Sequence, residues 1–128
     1  MEDVVYPKLS YKIMGFLFSV HNRLGSSFEE KYYQRAIESL LIENKIKFDK
    51  ELKANIIFGG NKIGKYFLDF LIEDKIILEL KTVPMLLPIH FRQVRSYLKV
   101  KKIRLGILVN FRAQKLIYKR ILNSDVKD

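Results

Sequence analysis

The stretch DFLIEDKIILELK, residues 69–81, decides the fold because it joins two almost continuously apolar runs through one polar turn. The runs Phe67 to Ile72 and Ile76 to Leu80 are typical of strands that are covered on both faces. Glu73-Asp74-Lys75 between them is a turn signal. The sequence therefore predicts an antiparallel pair of strands near the centre of a covered sheet.

Two acids, Asp69 and Glu79, are embedded in these apolar strands, where an unpaired carboxylate costs several kcal/mol. Because side chains alternate along a strand, Glu79 and Lys81 share one face of the sheet. A three-residue turn brings Asp69 opposite Glu79, whereas a two-residue turn places Asp69 on the other face. A cluster of all three residues therefore requires the three-residue turn or a bulge of equivalent parity.

Two converging carboxylates suit a hard divalent cation, Mg²⁺ or Mn²⁺, and the backbone carbonyl of Leu80 is a further candidate ligand. Such a cation would polarise a scissile phosphate, lower the pKa of an attacking water and stabilise the charge of the transition state. Lys81 would orient that water or neutralise the phosphoryl oxygens. The alternative is a buried ion-pair network of Asp69, Glu79 and Lys81 that binds no metal.

Periodicity on either side of this stretch predicts the other elements. In chain order they are a helix at 10–24, a helix at about 28–44, strands at 47–58 and about 62–72, a strand at 76–82, a helix at 90–100, a strand at 103–111 and an edge strand at 114–121. Ser10 is the expected N-cap of the first helix, Ser26 or Ser27 that of the second, and residues 123–128 are expected to fray. The prediction is one α/β domain, residues 1–128 with a core at about 10–121. Its central mixed sheet has a three-stranded antiparallel meander and one or two further strands, flanked by helices.

The composition limits the classes of function. The 128 residues include no cysteine, which excludes disulfides and thiolate metal sites. The 24 Lys and Arg against 14 Asp and Glu leave a net charge of +10, which would attract a polyanion, although a basic domain with other partners has the same balance. The sequence has neither a secretory signal pattern nor an apolar run of about 20 residues, so we expect a cytoplasmic protein without a membrane segment.

Asp69, followed on the next strand by Glu79-Leu80-Lys81, resembles the motif of the PD-(D/E)XK nuclease superfamily. The segment LGSSFEEKYY, residues 24–33, is similar to the one that names the GxxExxY family of that superfamily. Glu30 and Tyr33 occupy its glutamate and tyrosine positions, and Ser27 stands where the glycine is expected. The similarity extends from about residue 21 to residue 121. It implies a nuclease-like core and metal-dependent cleavage of phosphodiester bonds.

The resemblance also implies roles for residues outside the two strands. Members of the superfamily sometimes carry an acid on the first core helix and a glutamine on the second, and Glu30 and Gln93 fit those positions. Glu30 would hold a second metal ion or a metal-bound water, and Gln93 would orient a phosphate or Lys81. The alternatives are a glutamate that complements a helix N-terminus and a solvent-facing glutamine. His90 either contacts the site or begins its helix.

The helix that presents Gln93 also carries Arg92, Arg95, Lys99 and Lys102 at three- and four-residue steps. Such a stripe suits a phosphate backbone, and a solvated face is the alternative. The leading function is a divalent-metal-dependent nuclease acting on DNA or RNA. The main alternative is a non-catalytic nucleic-acid-binding or protein-assembly module that retains the nuclease fold. A homodimer, or a protein partner that supplies specificity, is compatible with the same sequence.

Overall fold

The computed structural model describes residues 5–126, whose helices and strands form an α/β fold around one mixed sheet. The elements are α1 (Pro7–Leu24), α2 (Glu30–Glu43), β1 (Phe48–Phe58), β2 (Asn61–Ile72), β3 (Ile76–Lys81), α3 (Pro88–Lys101), β4 (Leu105–Asn110) and β5 (Ile117–Leu122). The strand order is β1-β2-β3-β4-β5, with β3 and β4 parallel and all other neighbours antiparallel. The predicted fold class is therefore confirmed, including the antiparallel meander and the edge position of β5.

Two apolar clusters cover the two faces of the sheet. One cluster joins α1 and α2 to a face that includes Ile76, Leu78 and Leu80. The other joins α3 to the opposite face, which includes Ile77. Because helices cover both faces of β3, consecutive positions of this central strand are fully buried, and its continuous apolar run follows from that position.

The turn between β2 and β3 has three residues, Glu73, Asp74 and Lys75. Ile72 pairs with Ile76 across it, and the amide of Lys75 donates to the carbonyl of Ile72 at 2.9 Å. This is the odd length that the proposed cluster requires. The two-residue alternative does not occur.

The predicted serine caps of the first two helices are wrong. α1 begins at Pro7, and Ser10 is buried within the helix. Proline suits the first helical position because the N–H that it lacks would have no partner there. α2 begins after Glu29, and the serines at 26 and 27 lie outside it in the preceding loop.

The expected fraying after β5 is wrong for Asn123, which is 6% exposed. Its side-chain amide donates to the carbonyls of Leu98 and Ile103 at 3.1 and 3.2 Å. These carbonyls lie at the end of α3 and just after it, where helix carbonyls lose their intrahelical partners. Residues 127 and 128 of the predicted tail lie outside the described residues.

Candidate metal and catalytic site

β2 and β3 separate at Asp69 and Glu79. The regular ladder between the two strands ends at the pair of Phe70 and Leu78. Beyond it, the amide of Asp69 donates to Oε1 of Glu79 at 2.9 Å, and the amide of Leu80 donates to Oδ2 of Asp69 at 2.8 Å. Two carboxylates thus occupy the gap where carbonyl acceptors stand in a regular ladder. The expected pairing of Asp69 with Glu79 occurs, but through side chains.

β2 is twisted at the same point. Leu68 packs in the α3 cluster and Phe70 in the α1–α2 cluster, although a regular strand would direct both side chains to one face. Glu51 of β1, which stands opposite this point in the register, has a left-handed φ of 56°, uncommon for a residue other than glycine. The twist leaves Asp69 facing α2.

Glu79 is buried, with 3% of its surface exposed, and Nζ of Lys81 lies 3.3 Å from its Oε2. Burial raises the pKa of Glu79 to about 9, and the neighbouring Asp69 carboxylate adds to the increase while Lys81 opposes it. Burial also raises the pKa of Asp69, whose carboxyl group shares a hydrogen bond with that of Glu79. Two acids in this position require a proton or a cation between them. Their donor chemistry therefore fits a divalent cation.

The carbonyl of Leu80 faces the same gap. The N–H and C=O groups of one strand residue point to the same side of the strand, and the Leu80 amide points at Asp69. Lys81 has the opposite orientation, because its carbonyl accepts from the amide of Phe111 at 2.9 Å. The Leu80 carbonyl is thus directed as the sequence analysis expects of a ligand.

α2 contributes Glu30 and, in addition, Gln34. Nε2 of Gln34 donates to Oδ1 of Asp69 at 2.7 Å and to Oε2 of Glu30 at 3.2 Å. Burial raises the pKa of Glu30, with Lys81 lowering it and Asp69 raising it, so Glu30 lies within the electrostatic range of both. Sequence reasoning missed Gln34. Its four-residue spacing from Glu30, which places both on one helix face, was the available signal.

Tyr33 secures the segment that precedes Glu30. Its buried ring stacks on Phe111 with centroids 4.4 Å apart, and its hydroxyl donates to the carbonyl of Gly25. The amide of Phe28 donates to the same hydroxyl at 3.4 Å. This tyrosine fixes where α2 starts and thereby where Glu30 lies.

Gln93 and His90 are not joined to the carboxylate cluster by hydrogen bonds within residues 5–126. The backbone carbonyl of Gln93 accepts the hydroxyl of Tyr66 at 3.0 Å, and its side chain makes no hydrogen bond among these residues. Nδ1 of His90 accepts the amide of Leu87 at 2.9 Å, which is the helix-start arrangement. Burial and then the charge of Lys81 lower the pKa of His90.

The basic residues fall into two groups. The first is the predicted stripe, in which Arg92, Arg95 and Lys99 are exposed on α3 while Lys102 ends the helix with a φ of 56°. The second lines a cleft of about 330 Å³ between α2 and the β1–β2 pair, beside Asp69. Its bases, which the sequence analysis did not single out, are Lys31, Arg35 and Lys50. Lys31 and Arg35 are one helical turn apart on α2.

The carboxylate site consists of the pair Asp69 and Glu79, with Glu30 connected to it indirectly. Within residues 5–126, no three Asp, Glu or His side chains are grouped so that they could hold one metal ion. Glu30 reaches Asp69 through the amide of Gln34.

Over residues 5–126, no helix combines the length and the hydropathy that a bilayer crossing requires.

Comparison with known proteins relates this arrangement to one superfamily. A sequence model described as the PD-(D/E)XK nuclease superfamily matches residues 7–121. No curated protein matches the chain. Among solved structures, the crystal structure of SSO0001 is similar, with 26% sequence identity and a TM-score of 0.57. That match covers 77% of this chain and 52% of the other, so this chain spans about half the length of SSO0001. PD-(D/E)XK nucleases generally use divalent metals.

Proposed function

This chain belongs to the PD-(D/E)XK nuclease superfamily, and from that membership we propose that it is a divalent-metal-dependent nuclease that hydrolyses phosphodiester bonds of DNA or RNA. The observation that carries the proposal is the gap between β2 and β3, where Asp69 and Glu79 meet beside Lys81. Buried acids with raised pKa values destabilise the folded state at neutral pH unless something compensates them. Cation binding explains why they are there.

Asp69, Glu79 and the Leu80 carbonyl would hold Mg²⁺ or Mn²⁺. When bound, the cation supplies Lewis acidity at the phosphate and lowers the pKa of the attacking water. Glu79 must lose its proton to act as a ligand, so metal affinity increases with pH through the range in which Glu79 titrates. Lys81, whose Nζ lies 3.3 Å from Oε2 of Glu79, would orient the attacking water or stabilise negative charge on the phosphoryl oxygens.

Glu30 and Gln34 act around this centre. Gln34 holds the orientation of Asp69 by donating a hydrogen bond to Oδ1. The other oxygen, Oδ2, then faces β3, where it accepts the amide of Leu80. Glu30, which accepts a hydrogen bond from the same amide, would accept a hydrogen bond from a water or help bind a second cation. Gln93, which makes no hydrogen bond to the carboxylates among residues 5–126, would orient a phosphate of the substrate.

We further assign the chain to the GxxExxY family within the superfamily. The support is the segment at residues 24–33, in which Tyr33 anchors the carbonyl of Gly25 and Glu30 lies within range of Asp69 and Lys81. In this arrangement the tyrosine and the glutamate of the family name would act together, because Tyr33 fixes the segment that positions Glu30. Ser27, at the place of the expected glycine, lies in the loop before α2.

The test is cleavage of single-stranded DNA, duplex DNA and RNA with Mg²⁺, Mn²⁺ or EDTA. We expect the wild type to cleave at least one substrate only with a metal. Asp69→Asn and Glu79→Gln should lower the rate on the order of 10³-fold, because they remove several kcal/mol of transition-state stabilisation. Lys81→Ala should also lower it.

Asp74→Asn is the matched control for the acid variants. Asp74 lies in the β2–β3 turn, pairs with exposed Lys47 at 2.9 Å and has a φ of 56° that asparagine tolerates. It should cleave at the wild-type rate. Absence of metal-dependent cleavage by the wild type, or equal rates for Glu79→Gln and Asp74→Asn, contradicts the proposal. Nucleic-acid binding without cleavage would favour the non-catalytic alternative.

A further inference from the structure

The β1–β2 hairpin carries exposed lysines and exposed apolar side chains over residues 53–67, a segment named here the hairpin arm. The exposed large apolar side chains are Ile56 (41%), Ile57 (58%), Phe58 (74%), Ile63 (66%) and Phe67 (52%). The lysines of the arm, Lys53, Lys62 and Lys65, are also exposed. Phe67 differs here from the sequence analysis, which places it in a covered strand. Exposed rings and charges on one hairpin suit a ligand that offers both flat apolar surfaces and negative charge.

One face of the arm is continuous with the candidate site. Tyr66 and Leu68 pack toward the α3 cluster, so the alternate residues of β2 face the other side. Lys65 and Phe67 therefore lie on the face from which Asp69 contacts Gln34 of α2. Alternate residues of a strand are about 7 Å apart, so the three side chains form a row that ends at Asp69.

The second strand of the arm adds to this row. Lys53 of β1 is paired with Phe67, and Asn55 is paired with Lys65. Directly opposed residues of an antiparallel pair share a face, so Lys53 stands beside the exposed ring. The arm face thus has a lysine on two sides of Phe67.

Positive charge is crowded on the arm. The ammonium of Lys65 lies 5.8 Å from the centroid of the Phe67 ring. The amine and charge of Lys53, with a smaller contribution from Lys65, lower the pKa of Lys62. Residues 52–68 include no aspartate or glutamate that would compensate these charges. A polyanion that contacts the arm would relieve this repulsion.

We propose that the hairpin arm binds a single-stranded segment of nucleic acid and directs it into the gap between β2 and β3. The inference rests on the proposed function, because it takes nucleic acid as the substrate. Lysines contact phosphates of either a single strand or a duplex, but an exposed aromatic ring stacks only on a base that is not already stacked in a helix. Phe67, between two lysines and next to Asp69, therefore favours an unpaired strand.

The test is binding of fluorescent oligonucleotides, measured by anisotropy in EDTA so that cleavage does not contribute. Phe67→Ala should weaken binding of a single strand about 5- to 100-fold, because one base–aromatic stack is lost, and should change duplex binding much less. The double variant Lys53→Ala/Lys65→Ala should reduce the salt slope of single-strand binding by about 1.4, at about 0.7 for each phosphate contact. Phe67→Tyr should retain binding, because tyrosine presents the same flat surface.

Tyr11→Ala and Lys12→Ala are the matched controls. Tyr11 is 83% exposed on α1, and Lys12 beside it is also exposed, so they remove an aromatic ring and a charge outside the arm. Both should bind single strands as the wild type does. Arm variants that match these controls overturn the proposal, and so does a Phe67→Ala variant that loses duplex and single-strand binding equally. A change of oligomeric state in Phe67→Ala with unchanged nucleic-acid binding also overturns it, because the arm is then an interface between copies.

The two proposals fail separately. A wild-type protein that binds single strands through the arm but cleaves nothing contradicts the nuclease function and supports the arm. A wild-type protein that cleaves with metal, and whose arm variants bind and cleave normally, supports the nuclease function and overturns the arm.

Discussion

The two halves of β3 differ in how they contact β2. Ile76, Ile77 and Leu78 are fully buried and pair with β2 and β4 through regular backbone ladders. In the second half, residues 79–81 keep the β4 ladder but meet β2 through carboxylates. Under the proposed function, the side of β3 that faces β2 would present metal ligands from a backbone that the β4 ladder holds, which is the preorganisation that catalysis requires.

The halves also have opposite effects on stability. The first buries apolar side chains between two helical layers and stabilises the fold. The second half also buries Leu80 in the α1–α2 cluster, but its Glu79, whose pKa is raised by burial, lowers the stability of the metal-free protein at neutral pH. Adjacent residues of one strand thus differ in their effect on stability, and substitutions can separate stability from the proposed metal binding.

The largest effect should come from Leu78→Ala, in the first half. Leu78 is 0% exposed in the α1–α2 cluster, and its truncation leaves a cavity. The free energy of unfolding should fall by about 2–5 kcal/mol, measured by urea denaturation. Metal affinity of the folded protein should stay within about threefold of wild type. A small loss of stability with a large loss of affinity would contradict the division of β3 into two halves.

A smaller effect is expected for Gln34→Ala, which acts on the second half from α2. Without the amide that donates to Asp69 and Glu30, the affinity for Mn²⁺ should fall about 10- to 100-fold, measured by isothermal titration calorimetry. Gln114→Ala, at an exposed glutamine in the β4–β5 loop, is the control and should bind Mn²⁺ like the wild type. Equal affinities in the two variants would exclude a positioning role for Gln34.

Measured per pH unit, the smallest effect should be on the pH dependence of stability without metal. Because the pKa of Glu79 rises from 4.5 to about 9, the folded protein keeps a proton that the unfolded chain has released between these values. The stabilisation is complete below pH 4.5 and is lost as the pH rises toward 9, at no more than about 1.4 kcal/mol per pH unit. Urea denaturation in EDTA at several pH values measures this slope.

Glu79→Gln sharpens the same comparison, because glutamine is isosteric and does not titrate. Its slope between pH 5 and 8 should be shallower than that of the wild type, and its stability at the upper end should be higher. Identical slopes would mean that Glu79 does not carry the protonation change. Saturating Mg²⁺ should stabilise the wild type more at pH 8 than at pH 6 and should leave Glu79→Gln nearly unchanged.

The start of α1 and the contact of Asn123 with the end of α3 are two features that the sequence analysis predicted wrongly. A serine before an apolar helical run is a good cap signal, but Pro7 starts α1 earlier and Ser10 is buried in it. Asn123 looks like part of a polar tail, yet its amide completes the end of α3, 25 residues earlier in the chain. Pro7 was a local helix-start signal that the serine pattern outweighed, whereas the role of Asn123 depends on a contact that no local pattern contains.

By itself, the sequence determined the central strand β3, the shared face of Glu79 and Lys81, and the turn length that a cluster with Asp69 requires. These follow from the two-residue period of a strand and from turn parity, which are local properties. Only the tertiary structure decided that β2 twists at Asp69, that the hairpin arm shares the face of the site, and that Gln34 contacts Asp69. The last two residues are 35 positions apart, and their contact exists because α2 packs on the sheet at that point.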